Sequence, residues 1–246
     1  GASLYVLDVS DPVDPIPVGH LMLPDIVKGI DVQGAYAYVA DRWEGLCVVD
    51  VSDPTNPRQV GNWPNGWVHG VAVDGPYAYT AGVGGMEILD ITNPAAPVLR
   101  GNIDTIGYGQ RVAVQRAYAY YADGRAGLRI IDVSAPSAPI EVGRVASMRA
   151  EGVAVAGDFA YVATDKAGGM LTIVHVADPA APHVEGSCDV PGTRASAVEV
   201  AGSHAYVSAI GNTQAEWGLR VVDVSVPGSP VAVGFYPYPG YNTAFD

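Results

Sequence analysis

Cysteine is nearly missing from this chain: Cys47 and Cys188 are the only two in 246 residues. Two thiols cannot make the disulfide framework of a small secreted domain, so they do not fix the compartment. Each lies in a strand-like run and reads as a buried free thiol, a small hydrophobe. Basic residues are scarce as well, 13 Lys and Arg against 26 Asp and Glu, for a net charge of −13. Such a surface repels a phosphate backbone and an anionic lipid layer, so nucleic acid is excluded as an expected partner and membrane is disfavoured. No apolar run approaches the ~20 residues of a spanning helix, so no membrane insertion is expected. No basic-then-apolar leader opens the chain at Gly1. Nor does any segment carry a sustained i, i+3, i+4 apolar stripe, and the recurring prolines would interrupt one.

What the chain has in quantity is repetition. It is 49% hydrophobic and only 16% charged, ample for a core and too uncharged for disorder. The phrase GLCVVDVSDPTNP at 45–57 returns as GLRIIDVSAPSAP at 127–139 and GLRVVDVSVPGSP at 218–230. Its aspartate falls at Asp8, Asp50, Asp90, Asp132 and Asp223, with His175 standing in once, at spacings of 42, 40, 42, 43 and 48. Gly19, Gly61, Gly101, Gly143, Gly186 and Gly234 keep the same spacings, and an aromatic pair such as Tyr36/Tyr38 keeps step. Within each period, four short runs of Val, Ile and Tyr are bounded by Gly, Pro, Asn and Asp, which is strand chemistry. Four strands, A to D, in a period of about 40–45 residues are the arithmetic of a β-propeller blade. The expected fold is therefore all-β, one propeller domain of four-stranded antiparallel blades over 1–246.

The strand-C phrases LYVLDVSDP, LCVVDVSDP, MEILDITNP, LRIIDVSAP, LTIVHVADP and LRVVDVSVP resemble the LVIVD repeat family. The resemblance extends over nearly the whole chain. It implies a propeller from a bacterial or archaeal surface or secreted protein, of a family whose members mostly lack an assigned activity. The repeat units are expected at about 28–63, 68–103, 109–145, 150–188 and 194–236, with partial units at 4–22 and 241–246. Six blade positions follow, the sixth an incomplete blade made from both termini, or else the chain is a piece of a longer protein. Mixing the termini would remove exposed sheet edges.

A catalytic group is needed once, whereas a structural bond is needed in every blade. The repeated Asp8, Asp50, Asp90, Asp132 and Asp223 are therefore expected to hold the C–D turn, where Pro presets φ and Ser and Asp bond their own backbone. Calcium is the alternative that repeated Asp leaves open; the EF-hand pattern and glycine-rich nonapeptides are absent, and no other cofactor is expected.

Function is sought where the repeat stops repeating. Aligned at the start of strand A, one column reads Lys28, His69, Gln110, Glu151, Ser196 and Thr243, polar in all six and different in all six. β-structure alone would not select that, so these residues are expected around the mouth of the propeller channel. A bulky column two residues earlier contributes Trp67, Tyr108, Arg149, Arg194 and Tyr241, on the D–A loops. The B–C loops share this face and add Trp43; the longest, IGNTQAEWG, accounts for the 48-residue spacing. Insertions on one face of a repeat array often mark its binding face. The plainer alternative is a solvated funnel with aromatics covering blade edges.

Catalytic signatures are thin. His69 and Glu151 could serve as an acid/base pair across the channel. No G-x-S-x-G elbow, H-E-x-x-H helix or P-loop is present, and the five His are scattered. The sequence thus reads as a non-enzymatic extracellular or cell-surface module for interaction or assembly, with another protein or a surface polymer as partner and self-assembly as a further route. The alternative is a small-ligand or glycan receptor, or more weakly an enzyme, using the D–A/B–C face.

Overall fold

Each short run of β-branched and aromatic residues forms a strand, and each Gly, Pro and Asp cluster turns the chain. In the computed structural model the described residues are 2–165, 170–190, 194–210 and 217–238. By compactness the chain divides into two units, Gly1–Val114 with Ser134–Pro139, and Gln115–Val133 with Ile140–Asp246.

The strands come in chain order as antiparallel sheets. First is a two-stranded sheet, β1 (Ala2–Asp8) with β2 (Ile16–Leu23). The first full blade is β3 (Val27–Gln33), β4 (Tyr36–Asp41), β5 (Gly45–Asp50) and β6 (Arg58–Trp63). The second is β7 (Val68–Asp74), β8 (Tyr77–Asp90) and β9 (Val98–Tyr108). The third is β10 (Arg111–Gln115), β11 (Tyr118–Ala122), β12 (Leu128–Asp132) and β13 (Ile140–Val145). The fourth is β14 (Ala150–Ala156), β15 (Phe159–Thr164), β16 (Met170–His175) and β17 (His183–Asp189). The fifth is β18 (Arg194–Ala201), β19 (His204–Ile210), β20 (Gly218–Asp223) and β21 (Val231–Pro237). These are β-propeller blades. Six positions were expected, and five blades plus the β1–β2 sheet are what the described residues hold; the lone strand A expected at 241–246 lies outside them.

The second blade departs from four strands because strands B and C run on as one 14-residue strand, β8. Its first part pairs with β7 and its second with β9, and the register skips between Val83 and Gly85.

In the first blade strands B and C are buried almost continuously rather than on alternate residues, because neighbouring sheets cover both faces, whereas β19 of the fifth blade alternates buried with half-buried residues. In the first blade, Tyr38, Ala40, Leu46 and Val48 pack toward Val68, Val71 and Leu89 of the second. The intervening Ala37, Val39, Cys47 and Val49 pack toward Leu4, Leu21 and Leu23. Period two thus serves two interfaces, and each fully buried Val or Leu contributes about 1.5–3 kcal/mol. In the second unit, Tyr161, Leu171 and Ile173 of the fourth blade meet Ala195, Val198 and Val207 of the fifth. Cys47 and Cys188 are both free; Cys47 is buried, whereas Cys188, expected to be buried, is only partly covered on outer strand β17.

The recurring strand-D glycine has a packing cause. A Cβ on Gly61 would overlap the carbonyl oxygen of Pro94, and one on Gly143 that of Pro179. Each proline belongs to the next blade's C–D turn, so the glycine is the socket into which that turn fits.

Candidate functional site

The polar column of strand A coincides with a repeated backbone irregularity. The pairing register slips between Val27 and Gly29, Val68 and Gly70, Ala150 and Gly152, and Ala195 and Ala197. Lys28, His69, Glu151 and Ser196 are the residues skipped. Each therefore sits at a β-bulge, which re-aims a side chain and is common beside functional sites. Gln110 directly precedes β10. Thr243 and Tyr241 lie outside the described residues, as does most of the IGNTQAEWG loop.

In the first unit the D–A and B–C loops meet around Trp67. Trp43, 56% exposed, touches it edge to face with ring centroids 4.2 Å apart. The Arg42 guanidinium carbon lies 5.1 Å from the Trp67 centroid and 5.6 Å from that of Trp43. Backbone bonds fix the loops: Trp43 N donates to the Asp25 carboxylate at 3.0 Å, and Val68 N to the Arg42 carbonyl at 2.9 Å. Among the described residues neither Lys28 nor Arg42 has a carboxylate in ion-pair range. His69 follows, its ring 6.2 Å from Trp67 and its Nδ1 3.0 Å from the Gly109 carbonyl. A carbonyl only accepts, so Nδ1 carries the hydrogen and a neutral ring leaves Nε2 as acceptor. Burial, joined by the charges of Lys28, Arg111 and Arg42 and opposed by the Gly109 bond, holds the His69 pKa below its ordinary value. Tyr108, at the end of β9, is exposed.

Beside Trp67 the second blade contains a cavity of about 230 Å³ that sequence reasoning missed, lined by Asn65, Trp67, Glu87, Asn102, Asp104 and the Gly82–Gly85 run. At the strand-B position of Gly82, the first and third blades carry the buried Asp41 and Asp123. A Cβ at Gly82 would overlap the Trp67 carbonyl oxygen, which accepts from Val83 N at 3.1 Å. Only glycine lets the D–A loop lie so close. Glu87 accepts from Trp63 Nε1 at 3.0 Å and from Asn65 Nδ2. Burial raises its carboxyl pKa against the pull of those two donors. The legible signal was a glycine where the first and third blades carry aspartate, followed by VGG.

In the second unit the candidates form a charge network. Arg149 Nε donates to Glu151 at 2.7 Å, and its Nη1 lies 3.0 Å from Asp165. Arg194 approaches both carboxylates at 3.6 Å. Glu151 is only 6% exposed, and each of its oxygens faces an arginine. The network ties β14 to β18. His69 and Glu151 are thus each engaged by partners of their own unit.

At the other end of strand C, the repeated aspartates accept from the residue two ahead. Asp8 takes Ser10 N at 2.9 Å, Asp50 takes Ser52 N at 3.0 Å and its hydroxyl at 2.6 Å, and Asp90 takes Thr92 in the same way. Asp223 takes Ser225 N at 2.9 Å, and Asp132 is also partnered. Asp50 and Asp90 add Arg58 and Arg100 at 3.0 and 2.5 Å. Side-chain bonds from Ser52 and Thr92, with these arginines, hold both carboxyls down at about 2. Among the described residues no three His, Cys, Asp or Glu side chains gather as metal ligands.

Solved structures share this architecture. A functionally unknown protein of Desulfotomaculum acetoxidans superposes with a TM-score of 0.74 at 13% identity, over 90% of this chain and 73% of that one. A provisionally named 6-phosphogluconolactonase of Bacteroides uniformis gives 0.75 at 14%, over 91% and 75%. The Cps50 (Swd1) propeller domain of Myceliophteria thermophila gives 0.67 at 12%, over 87% and 72%. At such identities the likeness establishes the fold alone. No curated protein matches the chain. The LVIVD repeat model matches five times, at 26–64, 65–105, 106–147, 149–190 and 192–237, nearly blade for blade. With the repeated strand-C aspartates and strand-D glycines in register with those matches, the chain belongs to the LVIVD repeat family.

Proposed function

We propose that this chain is a non-enzymatic binding module of a bacterial or archaeal cell surface or secreted protein, engaging another protein or a surface polymer through its D–A/B–C loop face. One observation carries the reading: exposed Trp43 clusters with half-buried Trp67 and Arg42, in loops that differ between blades, and among the described residues neither Arg42 nor the exposed Lys28 has a carboxylate in ion-pair range. Exposed aromatic and arginine side chains are enriched in binding surfaces. The C–D turns, by contrast, spend their polar groups on themselves. Catalysis is the weaker alternative, since His69 and Glu151 are already engaged. We extend the reading to six blade positions, with β1 and β2 as strands C and D of the sixth.

The test measures binding of the immobilised chain to isolated envelope polysaccharides and purified surface proteins. A Lys28→Ala/Trp43→Ala variant should bind at least about tenfold more weakly while remaining folded by circular dichroism, and Asp53→Ala on a C–D turn should leave binding intact. Binding lost through the turn variant and kept in the loop variant would overturn the proposal, as would wild-type protein that binds nothing.

A further inference from the structure

We propose that the cavity beside Trp67 is a saccharide subsite that takes one uncharged, pyranose-sized ring. This rests on the reading of the loop face as a binding face and names what that face would recognise. Size sets the first bound: about 230 Å³ falls below the roughly 300–1,000 Å³ of drug-sized sites, so a single ring is the fitting unit. Charge sets the second. The ionisable groups lining the cavity are the carboxylates Glu87 and Asp104, which would repel an anionic group.

Hydrogen-bond inventory separates a sugar from an amine. The lining holds two carboxylate–carboxamide pairs, Glu87 with Asn65 and Asp104 with Asn102, the latter bond 3.1 Å long. Each amide nitrogen commits one hydrogen to its carboxylate and keeps a second, while the carboxylate and carbonyl oxygens keep lone pairs. Donors and acceptors are thus offered side by side. A hydroxyl, which gives and takes, uses both; an ammonium has donors only and leaves the amide hydrogens facing it. Gly84, skipped in the β8–β9 register and with open space where a Cβ would stand, adds uncovered backbone. Trp67 lines the cavity as well and is the aromatic residue proposed to meet the ring's C–H groups.

Tryptophan fluorescence and ligand-observed NMR on the intact chain test this with glucose, galactose, mannose and N-acetylglucosamine, beside glucuronate and n-butylamine as charged probes. At least one neutral sugar should saturate with a Kd of about 1 mM or somewhat above, and glucuronate should bind more weakly. Glu87→Gln and Asn102→Ala, checked for folding by circular dichroism, should each weaken the sugar about tenfold. Sugar binding unchanged in both variants, no saturation by any neutral sugar, or tighter binding of n-butylamine would each overturn the subsite. Where one of those results is found while both cavity variants still bind the envelope partner in a Trp43-dependent way, the loop-face reading stands and only the subsite falls.

Discussion

Trp43 and Trp67 meet edge to face, centroids 4.2 Å apart at 78°, and so join the B–C loop of the first blade to the D–A loop leading into the second. Edge-to-face aromatic pairs contribute about 0.5–1.5 kcal/mol beyond area burial. A denaturant double-mutant cycle on Trp43→Ala and Trp67→Ala should return a coupling in that range. A coupling near zero would mean the loops are positioned by their backbone bonds alone.

The strand-D glycines allow a sharper comparison. Gly143→Ala forces a Cβ onto the Pro179 carbonyl, and backbone must move; overpacking of this kind costs about 1–3 kcal/mol. Gly234, the equivalent in β21, has only the Val221 side chain near a built Cβ, at 3.4 Å. Gly234→Ala should therefore change stability by less than about 0.5 kcal/mol. Equal losses in the two variants would refute the socket explanation for the period's glycine.

The comparison also shows why the fold was legible and the site only partly so. Asp50, Gly61 and Tyr38 recur because every blade needs the same turn, the same socket and the same interface, and repetition is what a single sequence displays. The polar column was visible as variation, but its cause, a bulge at Lys28, His69, Glu151 and Ser196, is a property of strand pairing that composition does not encode. Glu151 reads as a channel-facing acid in sequence; Arg149 lies two residues away, yet nothing there announces that Arg194, 43 positions on, also faces the carboxylate. The cavity escaped because it is made by a missing side chain, Gly82, and by Asn102 and Asp104 on a strand that reads as structural. The expected burial of Cys188 failed because β17 is an outer strand.

Acid should loosen the C–D turns in a defined window. Asp50 and Asp90 have carboxyl pKa values of about 2 against an ordinary 3.8. A depressed folded-state value means that the unfolded chain binds protons first as pH falls, so stability from these bonds is complete above about pH 4 and is lost toward pH 2. Asp50→Asn and Asp90→Asn should flatten the dependence of melting temperature on pH between those limits. An unaltered slope would show that the carboxylates contribute nothing specific there.

The third blade carries its own buried ion pair, and its energetics differ from the surface pairs. Arg129 Nε donates to Asp123 at 2.6 Å and its Nη1 reaches Glu141, with Asp123 fully enclosed. Arg129→Leu removes the cation from beside a fully enclosed carboxylate. Breaking a buried pair from one side costs about 3–5 kcal/mol, whereas replacing both partners with apolar groups is often neutral. Arg129→Leu should therefore fall in that range by chemical denaturation, and Asp123→Ala/Arg129→Leu should recover most of the loss. A double variant as unstable as the single would place the cost in the loss of Arg129 packing, or of its Glu141 contact, rather than in the stranded charge.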